Sequence, residues 1–182
     1  MSTTFLDNDQ IGTVATFSEL VQTEFKGKQN ALCWYRNLEG DFKEIVRQLQ
    51  LKEDITEVSP EDLLALQLSE MGNKARAIIL EDLRVLTDFG ASPSLNLLKC
   101  YERDDAFDFI ATDVYSYHVD RSPIATDTFL CTYHGAASDI IANDQAEQKI
   151  LIPEIRNKLK ALHQGPEEEF ESFLKEYFFF LY

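Results

Sequence analysis

An α+β fold is predicted for this chain, with a helical N-terminal half packed on a mainly antiparallel sheet and two helices at the C-terminus. Three observations point to it. Apolar residues recur at helical spacing up to Gly90, short β-prone segments separated by acidic or proline-containing turns begin at Ala91, and helical spacing returns after Pro153. With 182 residues, 45% hydrophobic and 12% aromatic, the chain has the size of one domain and can bury a core without staples. Residues 1–182 are therefore expected to form a single domain.

Thr16-Phe-Ser-Glu19 has the spacing by which a hydroxyl and a carboxylate satisfy the first free amides of a helix. Phe17, Leu20, Val21 and Phe25 then follow at helical intervals. Ala31 to Tyr35 is a short apolar and aromatic run bounded by turn residues, expected as a buried strand. Phe42, Ile45, Val46, Leu49 and Leu51 give a second helical stripe. Ser59-Pro60-Glu61-Asp62 supplies a capping hydroxyl, a proline and first-turn acids for a third helix, expected to run to about Met71. Gly72-Asn73 is expected as a break. A longer helix carrying Ile78, Ile79, Leu83, Leu86 and Phe89 should then close at Gly90.

From Leu95 to Tyr101, Val114 to Val119 and Thr128 to Tyr133 the β-prone composition predicts strands. Leu151, Ile155, Leu159 and Leu162 line one face of a helix ended by Gln164-Gly165-Pro166, and Phe170, Phe173, Leu174 and Tyr177 line another. Phe178 to Tyr182 is apolar on every side. Such an ending fits either an interface, expected to pair two copies as a homodimer, or a strand whose partners lie beyond Tyr182.

Charge narrows the function classes. Thirty-two acidic against 17 basic residues leave −15, a field that repels phosphate backbones and anionic lipid, so neither nucleic acid nor a membrane surface is an expected partner. Every apolar run is shorter than the roughly 20 residues of a membrane span, and Met1 to Gln10 lacks the regions of a signal peptide. Cys33, Cys100 and Cys131 are odd in number and widely spaced, as suits reduced core thiols. A cytoplasmic protein is expected.

The densest polar and aromatic cluster runs from Asp113 to Ser122. In an extended segment residues two apart share a face, so His118 and Asp120 would present an imidazole and a carboxylate to one metal ion. Those are two members of the facial triad of non-haem Fe(II) oxygenases, whose third is a distant histidine and whose open positions take substrate, oxoacid and oxygen. The strand order around the motif suits a cupin-like double-stranded β-helix. Arg121 would grip a ligand carboxylate while Tyr117 and Tyr133 orient a small-molecule substrate, and the basic residue that would pair with the carboxylate of 2-oxoglutarate is expected outside these residues. Neither His134 nor His163 makes a convincing third ligand, so the completing histidine is expected outside these residues.

Asn30-Ala-Leu-Cys-Trp-Tyr-Arg36, the helix carrying Leu80-Glu-Asp-Leu83, Tyr117-His-Val-Asp-Arg-Ser-Pro123 and Leu130-Cys-Thr-Tyr-His-Gly-Ala136 together resemble the bacterial domain-of-unknown-function family numbered 1826. The resemblance covers about residues 30 to 141 and implies no established activity. A later His-Arg segment usual in that family has no counterpart here. Similarity to Fe(II)/2-oxoglutarate dioxygenases rests on His118, Asp120 and the expected strand order alone.

Other constellations favour ordinary readings. Cys131 and His134 have Cys-x-x-His spacing without the second close pair of a structural zinc site. Glu102, Asp104, Asp105, Asp108 and Asp113 form a negative loop without the glycine and final glutamate of a calcium loop. Two functions are thus expected: an Fe(II)-dependent, 2-oxoglutarate-type oxygenase-like protein using His118 and Asp120, or a non-catalytic acidic interaction or sensing protein.

Overall fold

The computed structural model describes residues 9–104, 106–119, 122 and 124–177. The first unit is a small βαβ: β1 (Ile11–Val14), α1 (Phe17–Gln22) and β2 (Ala31–Trp34), with the strands parallel and Ile11 opposite Ala31. Parallel strands need a crossover, and α1 supplies it. The hydroxyl half of its cap is the one the sequence spells, while the carboxylate reaches the residue before the cap. Thr16 Oγ1 accepts from the Glu19 amide at 3.1 Å, and the Glu19 carboxylate accepts from the Ala15 amide at 2.7 Å.

Four elements surround the larger apolar cluster. They are α2 (Phe42–Gln48), α3 (Pro60–Ala65), α4 (Glu70–Phe89) and the antiparallel ribbon of β3 (Ile55–Glu57) with β4 (Asn96–Leu98). Phe42, Ile45, Val58, Leu63, Ala75 and Ile79 form its buried centre. Ser59 caps α3 through a reciprocal capping box with Asp62. α4 ends at Gly90, whose φ of 98° is open to glycine at little cost.

Gly72-Asn73 is not a break, because Ser69 caps α4 upstream of it and accepts from the Gly72 amide at 3.1 Å. Glu44 of α2 explains the cap. It takes hydrogen bonds from the Ser69 amide and hydroxyl at 2.9 and 2.6 Å, and a Cβ on Gly72 would collide with its Oε2. Glycine here is a close-approach residue.

A second apolar cluster joins α5 (Pro153–Leu162) and α6 (Phe170–Tyr177) to Ile110 and Ile150, with Leu159 and Leu174 fully buried. Arg156 pairs with Glu171 and Lys160 with Glu167 at its surface. α5 buries Leu159 but leaves Leu162 exposed, and Leu151 precedes the helix and faces outward.

The expected cupin-like double-stranded β-helix is overturned. Among the described residues there are two sheets of two strands each, and of the three β-prone segments after Ala91 only the first contributes a strand, β4. Val114 to Val119 and Thr128 to Tyr133 are irregular. A strand needs a neighbour to pair with, and local acceptors capture this backbone first. Asp113 accepts from the Tyr115 amide through Oδ1 at 3.1 Å and from the Ser116 hydroxyl through its carbonyl at 2.9 Å. β2 forms where a strand was expected, and the N-terminal half holds β1 and β3 besides, which were not expected. No helix among the described residues is long and apolar enough to cross a membrane.

Candidate functional site

Three distant parts of the chain meet in one polar node. Arg36 follows β2 and Asp82 lies on α4. Tyr133 sits in the irregular segment that precedes Asn143, where a short 3₁₀ turn begins. Arg36 Nη1 donates to Asp82 Oδ1 and Nη2 to Oδ2, each at 2.7 Å, and the Tyr133 hydroxyl donates to Oδ2 at 2.8 Å. The guanidinium lies 4.4 Å from the Trp34 ring centre, and the Tyr133 ring stacks on Phe42 at 5.6 Å. Aromatic faces thus wall a planar ion pair that is mostly withdrawn from water.

The electrostatics follow from that enclosure. Hydrogen bonding to Asp82 raises the Arg36 pKa well above its ordinary value. Burial, reinforced by the bond to Asp82, pushes the Tyr133 hydroxyl far above an ordinary phenol, so it stays a donor. Both carboxylate oxygens are occupied, which suits a clamp better than a base. The Cys131 sulfur stands 3.5 Å from Arg36 Nη2. Cys131 was expected in the core of a strand and is instead exposed, while Cys33 and Cys100 are half-buried and all three are unpaired.

Of the residues singled out for the oxygenase, Asp120 and Arg121 lie outside the described residues, as does the Phe178 to Tyr182 run. His118 is half-buried, with Nδ1 2.7 Å from the Ser116 carbonyl oxygen. A carbonyl can only accept, so Nδ1 carries the proton. Tyr117 is exposed, whereas Tyr133 turns inward to Asp82. His163 faces the Pro166 carbonyl oxygen and the rings of Phe170 and Phe173. No three His, Cys, Asp or Glu side chains gather at one point among the described residues, so the described donors do not by themselves fit a facial triad.

The acidic loop expected to be solvated is partly built in. Asp113 is buried, with Arg103 Nη1 at 3.6 Å from its Oδ2, and the Arg103 guanidinium lies 3.6 Å over the Tyr115 ring. Tyr115 in turn bonds the Tyr101 backbone at both its amide and its carbonyl. Asp104 accepts from the Thr112 hydroxyl and from the Ala106 amide. These contacts fold the loop on itself and leave a shallow cleft lined by Phe107, Phe109, Asp108 and Lys149.

The region after this loop has a different character. From Lys99 to Ala142 no described residue lies in a helix or strand, a length uncommon inside a compact fold unless it has a task. Phe129 anchors it on Phe89, Tyr133 on Asp82, and Asn143 on Gln10 through a 2.8 Å bond. Before and between these anchors side chains face outward: Tyr117 is 61% exposed, Val119 68% and Ile124 73% ahead of Phe129, and Leu130 77% and Ile140 63% after it. Leu151 is the one other large apolar residue among the described ones to pass 60%. Isolated exposed leucines are ordinary, but five such residues in one anchored stretch are not.

Arg36 and Asp82 entered the sequence analysis only within the resemblance and with no chemistry assigned, yet a signal was present. Ile78, Asp82 and Leu86 are spaced four apart, so the carboxylate interrupts an apolar row of α4 and calls for a buried cation. Comparison with known families, with characterised proteins and with solved structures gave no match for this chain.

Proposed function

We propose that this chain is a cytoplasmic, non-catalytic interaction protein whose docking element is the stretch from Tyr117 to Ile140. One observation carries the proposal: nearly all of the most exposed large apolar side chains among the described residues fall in that stretch, which is held to the helical body at Phe129 and Tyr133 and whose described residues lie outside any helix or strand. Water-exposed apolar area of this density is stabilised by covering it. The Arg36–Asp82–Tyr133 clamp fixes the C-terminal part of the element to the helical body, which lowers the ordering cost when a partner binds.

The oxygenase alternative keeps His118 and Asp120 as its ligands, with Fe(II) and 2-oxoglutarate as its cofactors. The double-stranded β-helix that favoured it is not formed among the described residues. Panning a random peptide library separates the two. The interaction reading expects a consensus enriched by the wild-type chain and lost in an Ile124→Ser/Leu130→Ser/Ile140→Ser variant. Failure to enrich any consensus overturns it. Stoichiometric Fe(II) uptake under anaerobic conditions, abolished in both His118→Ala and Asp120→Ala, would instead favour the oxygenase.

A further inference from the structure

The docking element sits in a strongly acidic part of the chain. Between Arg103 and Lys149 the sequence holds nine acids and a single Lys or Arg, Arg121. Of these acids Asp127, Asp139, Asp144 and Glu147 are exposed, interleaved with or just beyond Ile124, Leu130 and Ile140. Among the described residues none of the four is in an ion pair, whereas elsewhere Asp9, Asp54, Glu81, Asp88 and Glu167 each have a cation within 4 Å. The element and the residues just after it thus combine uncovered apolar side chains with acids that have no ion pair among the described residues.

We infer that the partner is a cationic amphipathic segment of another protein, whose apolar face covers Ile124, Leu130 and Ile140 while its Lys and Arg side chains meet Asp127, Asp139, Asp144 and Glu147. This rests on the interaction reading above and gives the partner its chemistry. Charge complementarity selects that occupant. A second copy would bring −15 against −15, and an anionic bilayer would be repelled in the same way. An apolar partner without charge would leave the four carboxylates beside a low-dielectric surface with no cation to offset them.

Titration calorimetry of the full chain with synthetic peptides tests the inference. The probes are a Lys/Leu peptide of helical periodicity, a Glu/Leu peptide of the same periodicity, and a Lys/Leu peptide of the same composition in scrambled order. Only the first is expected to bind tightly, with affinity falling roughly tenfold as salt rises through the range where the Debye length drops below about 8 Å. Ile124→Ser/Leu130→Ser/Ile140→Ser should weaken it about tenfold or more. Asp127→Asn/Asp139→Asn/Asp144→Asn/Glu147→Gln should weaken it and flatten the salt dependence. Glu168→Gln/Glu169→Gln, on exposed acids near α6, should change nothing. All these side chains are exposed, so the variants are expected to fold.

Equal binding of the scrambled or the Glu/Leu peptide, or affinity indifferent to salt, overturns the inference. So does self-association seen by light scattering and abolished by the apolar substitutions, which would make the occupant a second copy. A library consensus that is apolar and uncharged would sink the cationic partner while leaving the interaction reading intact. The absence of any consensus would sink both.

Discussion

Arg36 and Asp82 are joined by two parallel hydrogen bonds of 2.7 Å across 46 positions of sequence. The fork geometry of a guanidinium fits a carboxylate in this one arrangement, so the pair fixes the direction in which the chain leaves β2 relative to α4. Tyr133 takes the remaining approach to Oδ2, which ties the irregular C-terminal part of the docking element to the same point. One carboxylate thus orders three segments with no regular structure in common.

Asp82→Ala is expected to cost about 3 kcal/mol, because it leaves the Arg36 charge withdrawn from water without a partner. Arg36→Ala should cost a similar amount. The double variant should cost much less than the sum, since both charges leave together. Urea midpoints of the four proteins measure this, and strict additivity would mean that the pair contributes nothing as a pair.

Tyr133→Phe keeps the stack on Phe42 and removes only the hydroxyl, so a loss of about 1 kcal/mol is expected near neutral pH. The sign of its pH dependence follows from the raised pKa. Stability from this group is complete below the ordinary phenol value of about 10. It is lost as pH climbs beyond that, because the unfolded chain ionises while the folded one holds its proton. Denaturation midpoints should therefore fall less steeply above pH ~10 in Tyr133→Phe than in wild type. A remainder is expected from Tyr35, whose pKa is also raised, chiefly by burial.

The sequence was legible where local rules decide. Thr16, Ser59 and Gly90 announce their helix ends because a cap is a contact within a few residues. It misled where a partner decides. Gly72 resembles a helix breaker until Glu44 of another helix is seen to need its missing Cβ. Val114 to Val119 resembles a strand, but pairing is a property of two segments, and no described strand lies alongside it. Of the candidate residues, Tyr133 was expected to orient a substrate, and in the structure its hydroxyl donates to Asp82. That contact is between residues 51 positions apart, and the sequence marks only one side of it, as a carboxylate within an otherwise apolar row of α4.

Gly40→Ala is expected to destabilise by about 2 kcal/mol. At a φ of 154° its Cβ would stand 2.7 Å from the Ala75 backbone nitrogen and 2.8 Å from its Cα, and α4 backbone cannot yield as a side-chain tip can. Gly90→Ala, at the C-terminal end of the same helix, has open space around the added Cβ and carries only the left-handed penalty of about 1 kcal/mol. Thermal midpoints of the two variants rank them. A smaller loss at Gly40 than at Gly90 would show that the approach to Ala75 relaxes freely.

The two apolar clusters share no residue, which predicts how damage spreads. Leu63 is buried among Phe42, Ile45 and Ile79, and Leu159 among Ile110, Phe170 and Leu174. Each truncation to alanine removes a fully buried side chain and should cost about 3 kcal/mol. Because the sites have no neighbour in common, the losses should add to within about 0.5 kcal/mol. Hydrogen exchange gives the sharper readout. Leu159→Ala should speed exchange of α5 and α6 amides while leaving those of α4 near wild type, since local opening follows the packing that remains. If α4 amides accelerate to the same degree, the two clusters open as one cooperative unit, and the long irregular stretch between them transmits force.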